Sequence, residues 1–276
     1  MARCFDLSGL GVRFADLPDA IARRFGEAWP RFEKPDLERP FLDVRVRIEG
    51  DPVPDGTVAA KSMRTRFDPR SARFDMEGGA ALALDAGRIE VTLAPSGPAT
   101  QWNALLNLTL AGLAWRLSRT SGAILHAGGI LLGDRAVVLV GSSGSGKSTW
   151  VKLATEAGVR SLSDDLVVLD ASSGRIEALG TPIRTRDFGS PGPGRWPLRA
   201  LLFPRHGSPV SLDAIDPMQV HARLLANLPW VAETMSPPLT RFVDDLVASV
   251  PCATLTFARD ATFIPLIESF LARDRR

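Results

Sequence analysis

Nine consecutive residues near the middle of the chain read Gly141-Ser142-Ser143-Gly144-Ser145-Gly146-Lys147-Ser148-Thr149. They fit the phosphate-binding pattern G-x-x-x-x-G-K-[ST] at every fixed position. The apolar run Val137–Val140 precedes them, and a helical pattern continues to Ala157, with Gly158 where a C-cap glycine would stand. The stretch therefore predicts a strand, a phosphate-binding loop (P-loop) and a helix, in that order, within an α/β fold.

The residue types in this stretch suit a nucleotide triphosphate. Glycines let the backbone approach a phosphate closely, and successive backbone N–H groups then form a nest for its oxygens. The following helix adds the partial positive charge of its N-terminus. Lys147 would reach the β- and γ-phosphates, and the Ser148 hydroxyl would bind the Mg²⁺ that bridges them. We therefore expect ATP and Mg²⁺ as cofactors, with the nucleotide held by Gly141–Thr149.

A P-loop enzyme also needs acidic groups to hold Mg²⁺ and to deprotonate or orient the acceptor. Asp244-Asp245 lies in an amphipathic helix pattern and fits a solvated face. Asp170 follows an apolar strand, as a metal-binding aspartate would, but it also opens a hairpin turn. Adjacent carboxylates at Asp164 and Asp165 repel each other unless a cation holds them. This pair is the favoured candidate, with one carboxylate on Mg²⁺ and the other acting as a base.

Three segments carry a resemblance to a known family. They are Leu125–Gly129, which contains His126, then Val138–Thr149, then Ser161–Asp165. In order and approximate spacing they resemble the catalytic core of the HPr kinase/phosphorylase family, most of all its shorter HPr-kinase-like members. The resemblance is strong over residues 121–170.

The resemblance implies a phosphoenolpyruvate-carboxykinase-like, HPr-kinase-like nucleotide fold. It implies that Asp164 is the catalytic base, polarised by His126 and aided by Lys147. Asp165 would join Ser148 on Mg²⁺, although the two aspartates could exchange these roles. It also implies a serine hydroxyl as acceptor and, because true HPr kinases are hexamers, a homo-oligomer. Their Arg-Gly-rich signature after the aspartates is not found here, so the expected acceptor is another protein or peptide, such as a ribosomally made peptide.

Composition is that of an ordinary globular protein. Of 276 residues, 45% are hydrophobic and 23% charged, and the net charge of +2 favours neither nucleic acid nor a membrane as partner. Two cysteines, Cys4 and Cys252, predict a reduced, cytoplasmic protein. The start of the chain lacks the apolar run of a signal peptide. The apolar segment Trp102–Leu117 is interrupted by polar residues and predicts a buried helix rather than a membrane span.

Turn residues at 95–98 suggest a boundary between a small α+β N-terminal domain, 1–97, and a catalytic domain, 98–276. In the first domain the patterns predict one helix and an antiparallel meander; its elements are Leu17–Trp29, Leu42–Ile48, Met63–Phe67, Ala72–Met76, Ala81–Leu84 and Arg88–Leu93. In the second they predict strands at Ala123–His126, Gly129–Leu132, Ala136–Val140, Leu166–Leu169, Arg175–Leu179, Leu198–Phe203 and Ala253–Phe257. Helices are predicted at 101–119, Asp216–Leu228, Pro237–Val250 and Thr262–Ala272.

The leading hypothesis is a kinase that phosphorylates a serine or threonine hydroxyl of a protein or peptide. The alternatives are a kinase of a small hydroxylated metabolite and a nucleotide-binding regulatory protein with little turnover. A deep acceptor pocket would favour the metabolite, and a buried Asp164 carboxylate would favour the regulatory protein. Candidates for acceptor or transition-state charge are Arg184, Arg186, Arg195 and Arg199.

Overall fold

The structure, a computed structural model, describes residues 2–56, 63–84, 87–183, 188–189, 191–231, 234 and 236–273. The chain forms two compact units, Met1–Arg116 and Leu117–Arg276. Each unit contains an eight-stranded sheet, which agrees with the expected mixed α/β class. The sequence-based boundary at 97/98 assigns the helix after it to the second domain, whereas the compact units divide near the end of that helix.

The first unit is built around a mixed sheet. Its strand order is β3-β1-β2-β4-β8-β7-β6-β5. The elements are β1 Arg3–Asp6, β2 Gly11–Ala15, α1 Asp19–Ala28, β3 Glu33–Lys34, β4 Leu42–Ile48, β5 Arg64–Asp68, β6 Ser71–Met76, β7 Gly79–Leu84, β8 Arg88–Leu93 and α2 Pro98–Ser118. The predicted antiparallel meander holds for β5 to β8 only, because β4 pairs in parallel with both β2 and β8. The prediction missed β1, β2 and β3, which have only four, five and two residues.

Helix α2 is buried along almost its whole length, as predicted for Trp102–Leu117. Trp102 packs on Phe25 of α1 with ring centroids 4.6 Å apart, and Gly112 lies against Ile89, where a side chain would collide. No helix in the described ranges is both long and apolar enough to cross a membrane.

In the described part of the second unit there are eight strands, of which two are long. The elements are β9 Gly122–Leu132, β10 Arg135–Val140, α3 Lys147–Glu156, β11 Arg160–Ser163, β12 Leu166–Asp170, β13 Glu177–Leu179, β14 Arg195–His206, β15 Ser211–Ala214, α4 Pro217–Leu225, α5 Pro237–Ser249, β16 Cys252–Phe257 and α6 Phe263–Arg273. Two predicted strands, Ala123–His126 and Gly129–Leu132, are a single strand, β9. β14 extends beyond both ends of its prediction, and β11 and β15 were not predicted.

The strands of this unit close into a ring. The pairing runs β10-β9-β12-β13-β14, and β14 then pairs with β10. Closure is possible because β9 and β14 are long: the first half of β9 pairs with β12 and its second half with β10. β14 likewise pairs with β13 at its start and with β10 and β16 further along. β16 and β15 extend the sheet beyond the ring.

Helices α3 and α6 cover one face of this sheet. Trp150 and Val151 of α3 are fully buried with Val137 and Leu139 of β10, and Trp150 stacks at 5.8 Å from Phe263 of α6. Gly158, two residues after the end of α3, has a φ of +86° that suits glycine. There Gly158 N–H bonds to the Thr155 carbonyl and Val159 N–H to that of Ala154, which satisfies two terminal carbonyls of the helix. Burial of this apolar face fixes α3, and therefore the loop before it, against β10.

Candidate functional site

The glycine-rich loop 141–146 joins the end of β10 to the start of α3, in the predicted order of strand, loop and helix. Gly144 has a φ of +82° and Gly146 a φ of +95°, a region that favours glycine. Gly146 is the N-cap residue of α3 and has no side chain with which to cap it. The loop therefore presents backbone donors at a helix N-terminus, an arrangement that can bind an anion.

The side chain of Lys147 lies folded back over this loop. It is 5% exposed, and its Nζ donates hydrogen bonds to the Gly141 carbonyl at 2.7 Å and the Ser142 carbonyl at 2.9 Å. Burial lowers the pKa of Lys147, while the charge of Asp165 acts in the opposite direction. The ammonium group is thus held at the loop by two backbone carbonyls. A bound anion would place a full negative charge beside it, which the carbonyls do not.

The histidine and the aspartate pair meet where β9 and β12 begin to pair. His126 Nε2 lies 3.0 Å from Asp165 Oδ1, and Asp165 accepts the Ala127 N–H at its backbone carbonyl, 2.9 Å away. The resemblance paired His126 with Asp164, whereas in the structure His126 lies beside the carboxylate of Asp165.

Asp164 is 2% exposed. Its backbone carbonyl lies 3.3 Å from the Ser148 hydroxyl, which donates to it. Asp164 thus contacts the site through its main chain, whereas the half-exposed Asp165 presents its carboxylate to the cleft.

A cleft of about 290 Å³ brings most of the expected site residues together; it is lined by His126, Ser143, Gly144, Gly146, Lys147, Ser148, Thr149 and Asp165. Gly141, Ser142 and Ser145 form the loop beneath it, with the Ser145 hydroxyl buried beside Gly141. The cleft combines a buried cation and a helix N-terminus with a hydroxyl and a carboxylate. These groups suit a phosphate chain together with a hard cation that prefers oxygen ligands.

The donors fit Mg²⁺ better than a metal held in an all-protein cage. Within the described ranges, no three histidine, cysteine or acidic side chains come together as a possible metal site. Mg²⁺ is usually held by one or two protein oxygens together with substrate phosphates. The Ser148 hydroxyl and the Asp165 carboxylate, which share the cleft, could supply those protein oxygens.

Asp170, the alternative metal candidate, has a structural role. It is 2% exposed, and its carboxylate receives Arg195 Nη2 at 2.5 Å, while Arg195 Nε lies 2.7 Å from the buried Glu177. Burial alone would raise the pKa of Glu177, but hydrogen bonds from Arg195, Ser173 and Arg175 bring it below the ordinary value. Arg195, one of the four arginine candidates for acceptor or transition-state charge, instead neutralises two buried carboxylates with its guanidinium.

The other candidates lie outside the cleft. Arg199 is exposed on β14 and borders a separate cleft that also includes Asp245. Asp244 pairs at 3.0 Å with His221 of α4 on the surface, which agrees with the solvated-face interpretation. Arg184 and Arg186 lie outside the described residues.

Sequence patterns missed the contribution of β14 to the loop. Pro204 and His206 lie on the same face of this strand, and each contacts a loop glycine. A Cβ on Gly141 would lie 2.9 Å from Pro204 Cγ, and a Cβ on Gly146 would lie 2.8 Å from His206 Cε1. The parallel pairing of β10 with β14 creates this contact, and no local motif signals a partner so distant in sequence.

Comparisons with known proteins assign the chain to no family. No family model matches the chain, and no curated protein matches it. Among solved structures, the chain is similar to the Hpr(Ser) kinase/phosphatase from Coxiella burnetii at 11% identity, covering 55% of this chain and 95% of that one. The TM-score is 0.28, which is too low to support an argument. The functional interpretation therefore depends on the cleft and its residues.

Proposed function

We propose that this chain is an ATP- and Mg²⁺-dependent kinase that transfers the γ-phosphate to a serine or threonine hydroxyl of a protein or peptide. The observation that carries the proposal is the cleft in which the His126–Asp165 pair shares space with Lys147 and Ser148. A glycine-rich loop alone would support binding of phosphate. A carboxylate oriented by a histidine in the same cleft adds a group that can accept a proton.

The roles follow from where each side chain lies. The backbone of loop 141–146 and the N-terminus of α3 would hold the phosphates, and Lys147 would leave its carbonyl partners to pair with them. Mg²⁺, held by the phosphates with the Ser148 hydroxyl as protein ligand, would supply charge neutralisation. Asp165 could act as a metal ligand or as the base, and we assign it the base role because it lines the cleft, whereas Asp164 does not.

The reaction balances without any further reagent. The acceptor oxygen forms a bond to the γ-phosphorus, and the bond from that phosphorus to the β–γ bridging oxygen breaks, so that ADP leaves. Asp165 takes the hydroxyl proton, while His126 keeps the carboxylate in place. Catalysis is then positioning and electrostatic stabilisation, as is usual for phosphoryl transfer.

The acceptor class rests on the sequence resemblance to HPr-kinase-like proteins, in which serine hydroxyls are phosphorylated. The free thiols of Cys4 and Cys252 support a reducing, cytoplasmic setting. A homo-oligomer is proposed on the same resemblance.

The test is transfer of labelled phosphate from ATP to a panel of proteins, serine- and threonine-containing peptides, free serine and small hydroxylated metabolites. We expect peptide or protein labelling that requires Mg²⁺ and is lost in Asp165→Asn and Lys147→Met. Labelling that survives both substitutions would refute the assigned mechanism, and labelling confined to a small metabolite would replace the acceptor class.

A second candidate function is a nucleotide-binding regulatory protein with little turnover. The burial of Asp164 favours it, because an aspartate enclosed in this way cannot meet an acceptor. It predicts that ATP binds to the cleft, that no substrate on the panel is labelled, and that Asp165→Asn leaves the affinity for ATP unchanged.

A further inference from the structure

Two aromatic rings lie beside the last glycine of the loop. His206, the last residue of β14, is exposed, and its ring centroid is 5.8 Å from that of the buried Phe257 at the end of β16. A Cβ added to Gly146 would meet His206 Cε1 at 2.8 Å and Phe257 Cζ at 3.2 Å. Both rings therefore pack directly against the loop that borders the cleft.

β10 pairs with a different strand on each side, so the two sides of the cleft can be distinguished. On one side β10 pairs with β9, which carries His126 and leads to Asp165 through its pairing with β12. On the other side β10 pairs with β14, which pairs with β16. β10, β14 and β16 are parallel, so the loop, His206 and Phe257 all lie at the same edge of the sheet.

The difference between the two sides determines how a bound nucleotide would be oriented. The proposed function places the γ-phosphate near Lys147 and Asp165, at the β9 side of the loop. The nucleoside must then leave the phosphate chain toward the opposite side, where the ends of β14 and β16 lie. A flat, exposed imidazole backed by a buried phenyl ring offers a face on which a purine can stack.

We infer that His206, supported by Phe257, is the stacking surface for the base of the nucleotide. This inference rests on the proposed function, since it requires that the loop bind a nucleoside triphosphate. It assigns His206 a role in holding the nucleoside, separate from the phosphate contacts of the loop.

The experiment measures dissociation constants of ATP and of inorganic tripolyphosphate, each with Mg²⁺, by calorimetry. His206→Ala should weaken ATP about tenfold and leave tripolyphosphate unchanged, because only ATP has a base to stack. His206→Phe, which keeps a flat ring, should stay within about twofold of the original protein for both ligands. His221→Ala, which changes another surface histidine of the same unit, is the matched control and should alter neither constant.

Three results would overturn the inference. Equal weakening of both ligands by His206→Ala would make His206 a phosphate contact. Unchanged ATP affinity in His206→Ala would remove it from the nucleotide site while leaving the proposed function intact. If the unaltered protein binds neither ligand, the proposed function fails as well, so the two failures are distinguishable. Melting temperatures confirm that each variant is folded, which is expected because the His206 side chain is exposed.

Discussion

His126 and Asp165 form a 3.0 Å pair between Nε2 and Oδ1, although they are far apart in sequence. β9 and β12 pair so that His126 lies opposite Leu166, the residue after the aspartate. The histidine ring can therefore hold the Asp165 carboxylate while part of it remains exposed to the cleft.

Asp165→Asn should lower the turnover number by at least about 10²-fold, because an amide cannot accept the hydroxyl proton. His126→Ala should lower it less, since the base is retained but is no longer held. Turnover and ATP affinity are measured over a range of Mg²⁺ concentrations. An unchanged Mg²⁺ requirement in Asp165→Asn supports the base role, whereas a raised requirement would identify Asp165 as a metal ligand.

Lys147→Met should abolish most phosphate transfer, by about 10²-fold or more, because a positive charge at the phosphates is removed. It should change the free energy of unfolding of the unliganded protein by only about 1 kcal/mol. The reason is that loss of two hydrogen bonds is offset by removal of a charge whose burial is unfavourable. Lys152→Met, at an exposed lysine of the same helix, is the control. The transfer assay measures the loss of activity, and urea unfolding measures the change in stability. Equal phosphate transfer by Lys147→Met and Lys152→Met would contradict the role assigned to Lys147.

Gly146→Ala should destabilise the protein by about 2–3 kcal/mol, since a positive φ and a collision with His206 act together. Gly158→Ala is the matched control: its φ is also positive, but no atom lies within 4 Å of the added Cβ. It should cost only about 1 kcal/mol. If urea unfolding gives the same loss of unfolding free energy for Gly146→Ala and Gly158→Ala, the His206 ring moves aside without cost.

Arg195→Met should destabilise the protein by about 3–5 kcal/mol at pH 7, because it leaves the carboxylates of Asp170 and Glu177 buried without their cation. Arg199→Met, on the exposed side of the same strand, should have little effect. Urea unfolding of the two variants provides the comparison.

The destabilisation caused by Arg195→Met should become smaller as the pH falls. In the unaltered protein the folded-state pKa of Glu177 is lowered, so its stabilising contribution is present above the unfolded-state pKa and is lost as the pH falls through the folded-state value. In Arg195→Met the guanidinium that lowers the pKa of Glu177 is absent, so that pKa is higher than in the unaltered protein and Glu177 is protonated at a higher pH. The stability gap between the two proteins should therefore narrow as the pH falls from the folded-state pKa of the variant to that of the unaltered protein. A gap independent of pH would contradict the ionic explanation.

Local patterns predicted the parts of the site that are continuous in sequence. The glycine spacing and the apolar run before it gave the order of β10, loop and α3, and the helix begins at Lys147 as expected. The glycine expected just after the end of that helix, Gly158, is also found there. These features depend on backbone preferences that each residue carries with it.

The sequence did not predict which side chains contact each other in the folded unit. Which aspartate meets His126 depends on the bend just before β12 and on the register of β12 with β9, which places Leu166 opposite His126. The role of Arg195 depends on the pairing of β13 with β14, which brings Glu177 beside it. His206 is a site neighbour only because β14 continues past the predicted end at Phe203.

The ring of strands has a consequence for how the protein folds. β10 and β14 meet only after the intervening chain has been looped back, and such non-local pairing carries an entropic cost before it yields any stabilisation. The glycine-rich loop rests on Pro204 and His206 of β14, so it acquires its native surroundings only when the ring has closed. Binding of ATP would therefore report that the whole unit has reached its native topology, and a nascent chain that ends before β14 should be unable to bind it.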